Sequence, residues 1–165
     1  ANGAYWRELG YAQGNICTIA LARKNPDRTL QSCKGALDTM KRVQRLAPGD
    51  PAIAADLANR HAWMADALRL QGDDRAALVQ REKQDAILRS LLRRDPKNAG
   101  YLQDWMLARY SMSNLLYDLG ETDRAKALRA EARADVADLV ARDPANKDWQ
   151  VWQGKLAKPL TKGSK

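Results

Sequence analysis

Two five-residue stretches decide the fold: Arg-Asp-Pro-Lys-Asn at residues 94–98 and Arg-Asp-Pro-Ala-Asn at residues 142–146. They lie 48 residues apart, and a third proline, Pro48, stands another 48 residues before Pro96. Proline restricts the residue before it and removes a backbone donor, so each of these sites is expected to end a helix. The spacing predicts three repeats, near residues 3–50, 51–98 and 99–146.

Apolar side chains recur in the same register, and within one repeat they are three, four or seven residues apart. That spacing places them on one face of an α-helix. We expect the aligned positions to be buried in every repeat. Two of the aligned columns hold Ile16, Met64 and Met112, and Ile19, Ala67 and Leu115.

Turn-forming residues at 24–28, 72–75 and 120–124 divide each repeat into two helices, A and B. The sequence therefore predicts an all-α fold of stacked antiparallel helix hairpins in one domain, residues 1–157, with a flexible basic tail at residues 158–165. The predicted helices lie near residues 4–23, 27–46, 51–70, 74–94, 99–118 and 122–141, followed by a capping helix within 146–157.

The net charge of the chain, +8, raises the question of nucleic-acid binding. Four of the basic residues follow Asp148, the last acidic residue, and elsewhere acids and bases alternate as on a solvated helical surface. This distribution disfavours nucleic acid as the partner. No apolar run approaches the roughly 20 residues that a membrane span requires, so we expect no span in this chain.

The segments at residues 70–78 and 119–128 resemble the turn between the two helices of the tetratricopeptide repeat, where Gly and an acid precede Ala and Leu. Residues 143–146 are similar to the junction between two such repeats. A column of small residues seven positions before the turn glycine also belongs to that pattern, and here it holds Cys17, Ala65 and Ser113. The resemblance covers residues 5–155, although the period is 48 instead of roughly 34 and the first turn lacks Gly.

This resemblance implies a module that binds a protein or peptide, as the sensor or scaffold part of a larger bacterial signalling protein, in which long-helix variants occur. It also implies that the A helices line a concave binding surface. The candidate binding residues on them are Tyr11, Asn59, Arg60, Trp63, Asp66, Arg69, Tyr110, Asn114 and Tyr117.

Several alternatives stay open at this level. The tyrosines and Trp63 are equally compatible with a packed core, and Arg60 and Arg69 with pairing to neighbouring acids. A helical repeat that binds nucleic acid or a small molecule is the alternative function. The terminal repeat faces also offer surfaces for a homo-oligomer.

The sequence offers little for catalysis. His61 is the one histidine, no Ser or Cys motif supplies a nucleophile for it, and no His or Cys recurs at metal-ligand spacing. We therefore predict no enzyme activity, no cofactor and no metal, and we expect His61 to be a partly exposed helix residue.

The two cysteines lie eight residues on either side of Asn25, on facing helices of the first hairpin. A disulfide and two free thiols are both compatible with that placement. A bridge between Cys17 and Cys33 would imply an oxidising compartment such as the bacterial periplasm, and free thiols would imply the cytoplasm. Because Arg81 and Arg129 hold the position of Cys33 in the later repeats, we expect this side of helix B to be incompletely buried.

Overall fold

Helices supply all the regular secondary structure in the computed structural model, which describes residues 3–163. In this part of the chain the helices are α1 (Gly3–Ala22), α2 (Pro26–Leu46), α3 (Pro51–Leu70), α4 (Asp74–Arg94), α5 (Ala99–Asp118), α6 (Thr122–Arg142) and α7 (Lys147–Ala157). The predicted all-α, repeat-like fold is confirmed, and α3, α4 and α5 have the predicted bounds. Antiparallel packing joins α1 to α2, α2 to α3, α5 to α6 and α6 to α7.

The repeat junctions place a capping side chain every 48 residues, before α3, α5 and α7. Asp50 accepts hydrogen bonds from the first free backbone N–H groups of α3. Asn98 accepts one from the backbone N–H of Tyr101 at 3.1 Å, and Asn146 accepts one from that of Trp149 at 3.2 Å. Such caps satisfy donors that have no partner within the helix, which explains why the register sets the helix starts so closely.

The turns inside the hairpins differ between the first repeat and the other two. Gly72 and Gly120 both have φ of +84° and end their helices in the left-handed conformation that glycine adopts without strain. The first hairpin lacks this glycine, and Lys24 takes up a positive φ of 50° instead. The first turn is therefore the one that carries backbone strain on a side-chain-bearing residue.

This difference predicts opposite effects for two substitutions. Lys24→Gly is expected to raise the free energy of unfolding by roughly 0.5 kcal/mol, since the relieved strain exceeds the entropy cost of glycine. Gly72→Ala is expected to lower it by about 1 kcal/mol, and because no atom lies within 4 Å of the added Cβ the loss is backbone strain alone. Urea unfolding measures both changes. A Gly72→Ala variant as stable as the wild type would contradict this interpretation.

The chain divides into two compact units, of which the first ends at Ile87 and the second begins at Leu88, within α4. In the first unit, the face of α3 that begins at Ile53 packs on α2. One cluster joins Ile53 and Leu57 to Leu37, Met40 and Val43 of α2, and a second joins Ala67 to Cys33 and Ala36 of α2 and Cys17 of α1.

The second compact unit has its own core, in which α5, α6 and α7 meet. Leu156 of α7 is 0% exposed and packs with Met106, Ala132 and Val136. Trp149 packs with Leu102 and Leu139. Its indole N–H donates to the side-chain oxygen of Gln103 at 2.6 Å, which fixes the start of α7 on α5.

Candidate functional site

Arg60 is the most deeply buried of the charged side chains that the sequence assigned to partner binding, with 4% of its surface exposed. Its guanidinium carbon lies 4.2 Å from the centre of the Trp63 ring. Its Nη2 donates a long hydrogen bond of 3.5 Å to the carbonyl oxygen of Gly10 on α1. A Cβ at Gly14 would lie 2.8 Å from the guanidinium, so glycine there makes room for it. Burial lowers the pKa of Arg60, which still remains a cation.

Tyr11 of α1 is tied to α3 through Asp56. Its hydroxyl donates to Oδ2 of Asp56 at 2.9 Å, and this hydrogen bond raises the pKa of Tyr11. The same carboxylate acts to raise the pKa of Arg60. Tyr11, Asp56 and Arg60 thus form one polar cluster between α1 and α3, of which the Tyr11 ring is the accessible end, 37% exposed.

The other candidate residues of α3 have partners in the first compact unit. Asp66 accepts a hydrogen bond from Nη2 of Arg81 on α4 at 2.5 Å. Nε of Arg69 lies 3.7 Å from a carboxylate oxygen of Asp74. Asn59 is half-buried. Partner binding by these side chains stays a prediction, and any partner would compete with the contacts described.

In the second compact unit, Tyr110, Asn114 and Tyr117 of α5 gather around Arg129 of α6. The Arg129 guanidinium carbon lies 4.5 Å from the centre of the Tyr110 ring, and its Nη2 donates to the side-chain oxygen of Asn114 at 2.5 Å. Ser113, which is 0% exposed, supplies the small side chain beside which α6 approaches α5. The structure therefore brings these three candidates together, on one arginine that sequence reasoning had not assigned to the site.

A cavity of about 260 Å³ opens beside Arg129. Tyr117 of α5, three cationic side chains of α6 and two apolar residues that follow α7 form its wall. The lining residues are Tyr117, Lys126, Arg129, Arg133, Pro159 and Leu160.

The pair Asn114 and Arg129 corresponds, one repeat earlier, to Asp66 and Arg81. Arg81 and Arg129 are each 6% exposed, so the expectation that this side of helix B is incompletely buried is wrong. The physical reason is the side chain 15 residues earlier on helix A, which accepts a hydrogen bond from the guanidinium in both repeats. In the earlier repeat that acceptor is a carboxylate, and in the later one it is a neutral amide.

The sequence carried one signal for this site that the pattern search missed. In the 48-residue register an acid, Asp66, becomes an amide, Asn114, while the facing arginine is kept. That change alone marks Arg129 as the arginine without a carboxylate. No comparable signal existed for Pro159 and Leu160, because they lie beyond the last repeat.

The first hairpin holds a disulfide where the others hold an arginine. The Cα atoms of Cys17 and Cys33 lie 4.7 Å apart and their sulfurs are bonded. Both residues are buried, at 0% and 1% exposure. Of the two alternatives that the sequence left open, the bridge between α1 and α2 is therefore the one present.

The outer side of α1 is apolar and exposed. Tyr5, Ile16 and Ile19, which we call the α1 face, are 59%, 53% and 53% exposed. The expectation that the columns of Ile16 and Ile19 are buried in every repeat is wrong for α1. Their counterparts on α3 are covered because α2 packs there, and no described helix packs on the corresponding side of α1.

His61 is 5% exposed, so the expectation of a partly exposed histidine is wrong. Its Nδ1 lies 2.8 Å from the side-chain oxygen of Gln80 on α4. Burial lowers the pKa of His61, and Lys41 of α2 and Lys83 of α4 lower it further, against the opposing effect of Gln80. The neutral imidazole donating from Nδ1 to Gln80 satisfies this geometry.

A lowered pKa of His61 predicts how stability depends on pH. Below pH 6.5, the ordinary pKa of histidine, the unfolded chain binds a proton at His61 that the folded chain resists, so the free energy of unfolding falls as the pH falls. We expect His61→Gln to remove this part of the loss between about pH 7 and pH 5.5. Urea unfolding of both proteins at the two pH values measures it, and equal losses would contradict it.

Among residues 3–163, no group of three or more His, Cys, Asp and Glu side chains is placed to hold a metal ion. None of the helices in the same range has both the length and the apolar content to cross a membrane. Comparison of the chain with protein-family models, curated proteins and solved structures finds no match.

Proposed function

We propose that this chain is a protein-binding module of the tetratricopeptide type, which takes up a helical segment of a partner protein and carries out no chemical turnover. The observation that supports the proposal is the exposed apolar α1 face. Large apolar side chains that lie together on a protein surface commonly mark an interaction site.

The repeat register indicates what covers such a face. One repeat after Tyr5, Ile16 and Ile19 stand Ile53, Met64 and Ala67 of α3. On α3 these positions pack against α2, through clusters that contain Met40, Val43, Cys33 and Ala36. A helix with apolar residues at spacings of three and four is therefore the element that fits this side of an A helix.

The same reasoning separates the α1 face from the predicted concave surface. Arg60, Asp66 and Arg69 are engaged within their own unit, whereas the α1 face has apolar surface available to a partner. We therefore assign the first contact with a partner helix to Tyr5, Ile16 and Ile19. Tyr11 lies beside them on α1 and is available to a longer partner segment.

The disulfide supports a location for this function. A buried bridge between two helices persists in an oxidising compartment and is rare where thiols are kept reduced. We propose that the module works on the periplasmic side of a bacterial membrane, as the sensor or scaffold part of a larger signalling protein.

A selection from a displayed library of amphipathic helical peptides, made under oxidising conditions, tests the proposal. We expect the selected peptides to carry apolar residues at spacings of three and four, and to bind the wild-type chain saturably. The double substitution Ile16→Lys and Ile19→Lys is expected to weaken binding by about 100-fold, since two buried apolar contacts are lost.

Val79→Lys is the matched control, because Val79 is also an exposed apolar residue, at 46%, but lies on α4. Its affinity for the peptides should match that of the wild type. Failure to select any binder, or binding that Ile16→Lys and Ile19→Lys leave unchanged, would refute the assignment. Sedimentation velocity adds a further outcome: a dimer that the double substitution dissolves would identify a second copy as the occupant and contradict a different partner.

A further inference from the structure

Arg129 carries a charge that the second compact unit leaves without a carboxylate. It is 6% exposed, its Nη2 bonds to the neutral Asn114, and its Nε has no hydrogen-bond partner. A buried cation is costly unless an anion accompanies it. The side chain therefore has both an unused donor and an unbalanced charge.

Other deeply buried arginines of the chain are balanced. Arg109 of the same unit lies 2.6 Å from Asp135 and 3.0 Å from Glu131. Arg81, the counterpart of Arg129 one repeat earlier, lies 2.5 Å from Asp66. Arg129 departs from this pattern at the one place where a cavity reaches its guanidinium.

The neighbouring groups add positive charge to the cavity. Arg133 is held at its edge by hydrogen bonds from Nε to the carbonyl oxygen of Leu156 at 2.7 Å and from Nη2 to that of Ala157 at 3.2 Å. Lys126 completes a set of three cations, and the six lining residues include no Asp or Glu. Asp118, next to Tyr117 in sequence, accepts a hydrogen bond from the backbone N–H of Gly163 at 3.0 Å and is not part of the lining.

The rest of the wall is apolar. Pro159 and Leu160 form one side of the cavity and the Tyr117 side chain forms another. The volume of about 260 Å³ corresponds to roughly nine liquid water molecules, which suits a ligand of small size. An anionic group at Arg129 with a small apolar body attached would satisfy both kinds of surface.

We propose that this cavity binds a small organic anion, with carboxylate or phosphate oxygens bonded to Arg129 and an apolar part packed against Pro159 and Leu160. The bound oxygens take the place that the Asp66 carboxylate holds beside Arg81. Arg133 and Lys126 strengthen the attraction for the anion, as charge-assisted hydrogen bonds to guanidinium do in general. This site is independent of the α1 face.

Isothermal titration of the full chain with three probes of similar size tests the site: benzoate, phenyl phosphate and the neutral benzyl alcohol. We expect at least one of the two anions to bind saturably in the millimolar range or tighter, and the alcohol not to bind. The better of the two anions identifies the oxygen geometry that the site prefers. If neither anion binds, or if the alcohol binds as tightly as the anions, the proposal fails.

Asn114→Asp is the decisive variant, because it supplies Arg129 with the internal carboxylate that Arg81 already has. It should keep the fold, checked by circular dichroism, and weaken the binding of the anion by about tenfold or more. Arg129→Gln should give a similar loss. Asn98→Asp is the matched control, since it adds the same charge to the same compact unit and Asp serves equally as a helix cap. Unchanged binding by Asn114→Asp would overturn the proposal.

Discussion

Removal of the bridge between Cys17 and Cys33 is expected to lower the free energy of unfolding by about 3 kcal/mol. The two residues are 16 apart in sequence, and closing a loop of that size removes roughly this amount of conformational entropy from the unfolded chain. Because both residues are buried, replacing them by alanine leaves a small loss of packing in addition. Urea unfolding of the Cys17→Ala, Cys33→Ala double variant measures the change.

Two comparisons make this prediction specific. The wild type in the presence of a reductant should lose a similar amount, because it keeps the side chains but not the bond. Ala65 and Ser113 hold the position of Cys17 in the later repeats, so alanine at residue 17 is compatible with the helix contact. A double variant within about 0.5 kcal/mol of the oxidised wild type would mean that the bridge does not stabilise the hairpin.

Leu156→Ala is expected to lower the free energy of unfolding by about 3 kcal/mol. Leu156 of α7 is 0% exposed and packs with Met106, Ala132 and Val136, so the substitution removes buried methyl groups and leaves a cavity among them. The measurement is urea unfolding followed by tryptophan fluorescence, since Trp149 and Trp152 both lie on α7.

Val151→Ala is the matched control on the same helix, because Val151 is 54% exposed. Its effect should stay within about 0.5 kcal/mol. Equal effects of the two substitutions would show that α7 does not complete the core of the second compact unit.

The sequence determined the helices well because their limits depend on local chemistry. Asp50, Asn98 and Asn146 cap helices through their own side chains, and Gly72 and Gly120 end helices through their own backbone. These signals need no knowledge of the tertiary structure. The 48-residue register then extended them from one repeat to the next.

Burial was harder to predict because it depends on the neighbouring helix. Ile19 and Ala67 share a column, yet Ala67 is covered by α2 and Ile19 is 53% exposed. Arg81 and Arg129 were expected to be less buried than they are, because a long side chain can place its charged end against an acceptor that the pattern of apolar residues does not show. The cavity beside Arg129 also depends on Leu160, which follows the last repeat.

The exposed apolar face of α1 is the basis of the proposed function, and the isoleucines allow it to be tested directly. The chain has four isoleucines: Ile16, Ile19, Ile53 and Ile87. Two belong to the α1 face, Ile53 is 2% exposed, and Ile87 packs against the cluster of the first compact unit. Their side-chain methyl groups give a separate NMR signal for each position.

The most direct measurement is the change of these four methyl signals when a selected helical peptide is added. The account predicts large shifts for Ile16 and Ile19 that saturate with the peptide, and small shifts for Ile53 and Ile87. Shifts confined to Ile53 and Ile87, or no shift at Ile16 and Ile19 when the peptide is bound, would contradict the assignment of the α1 face as the partner-binding surface.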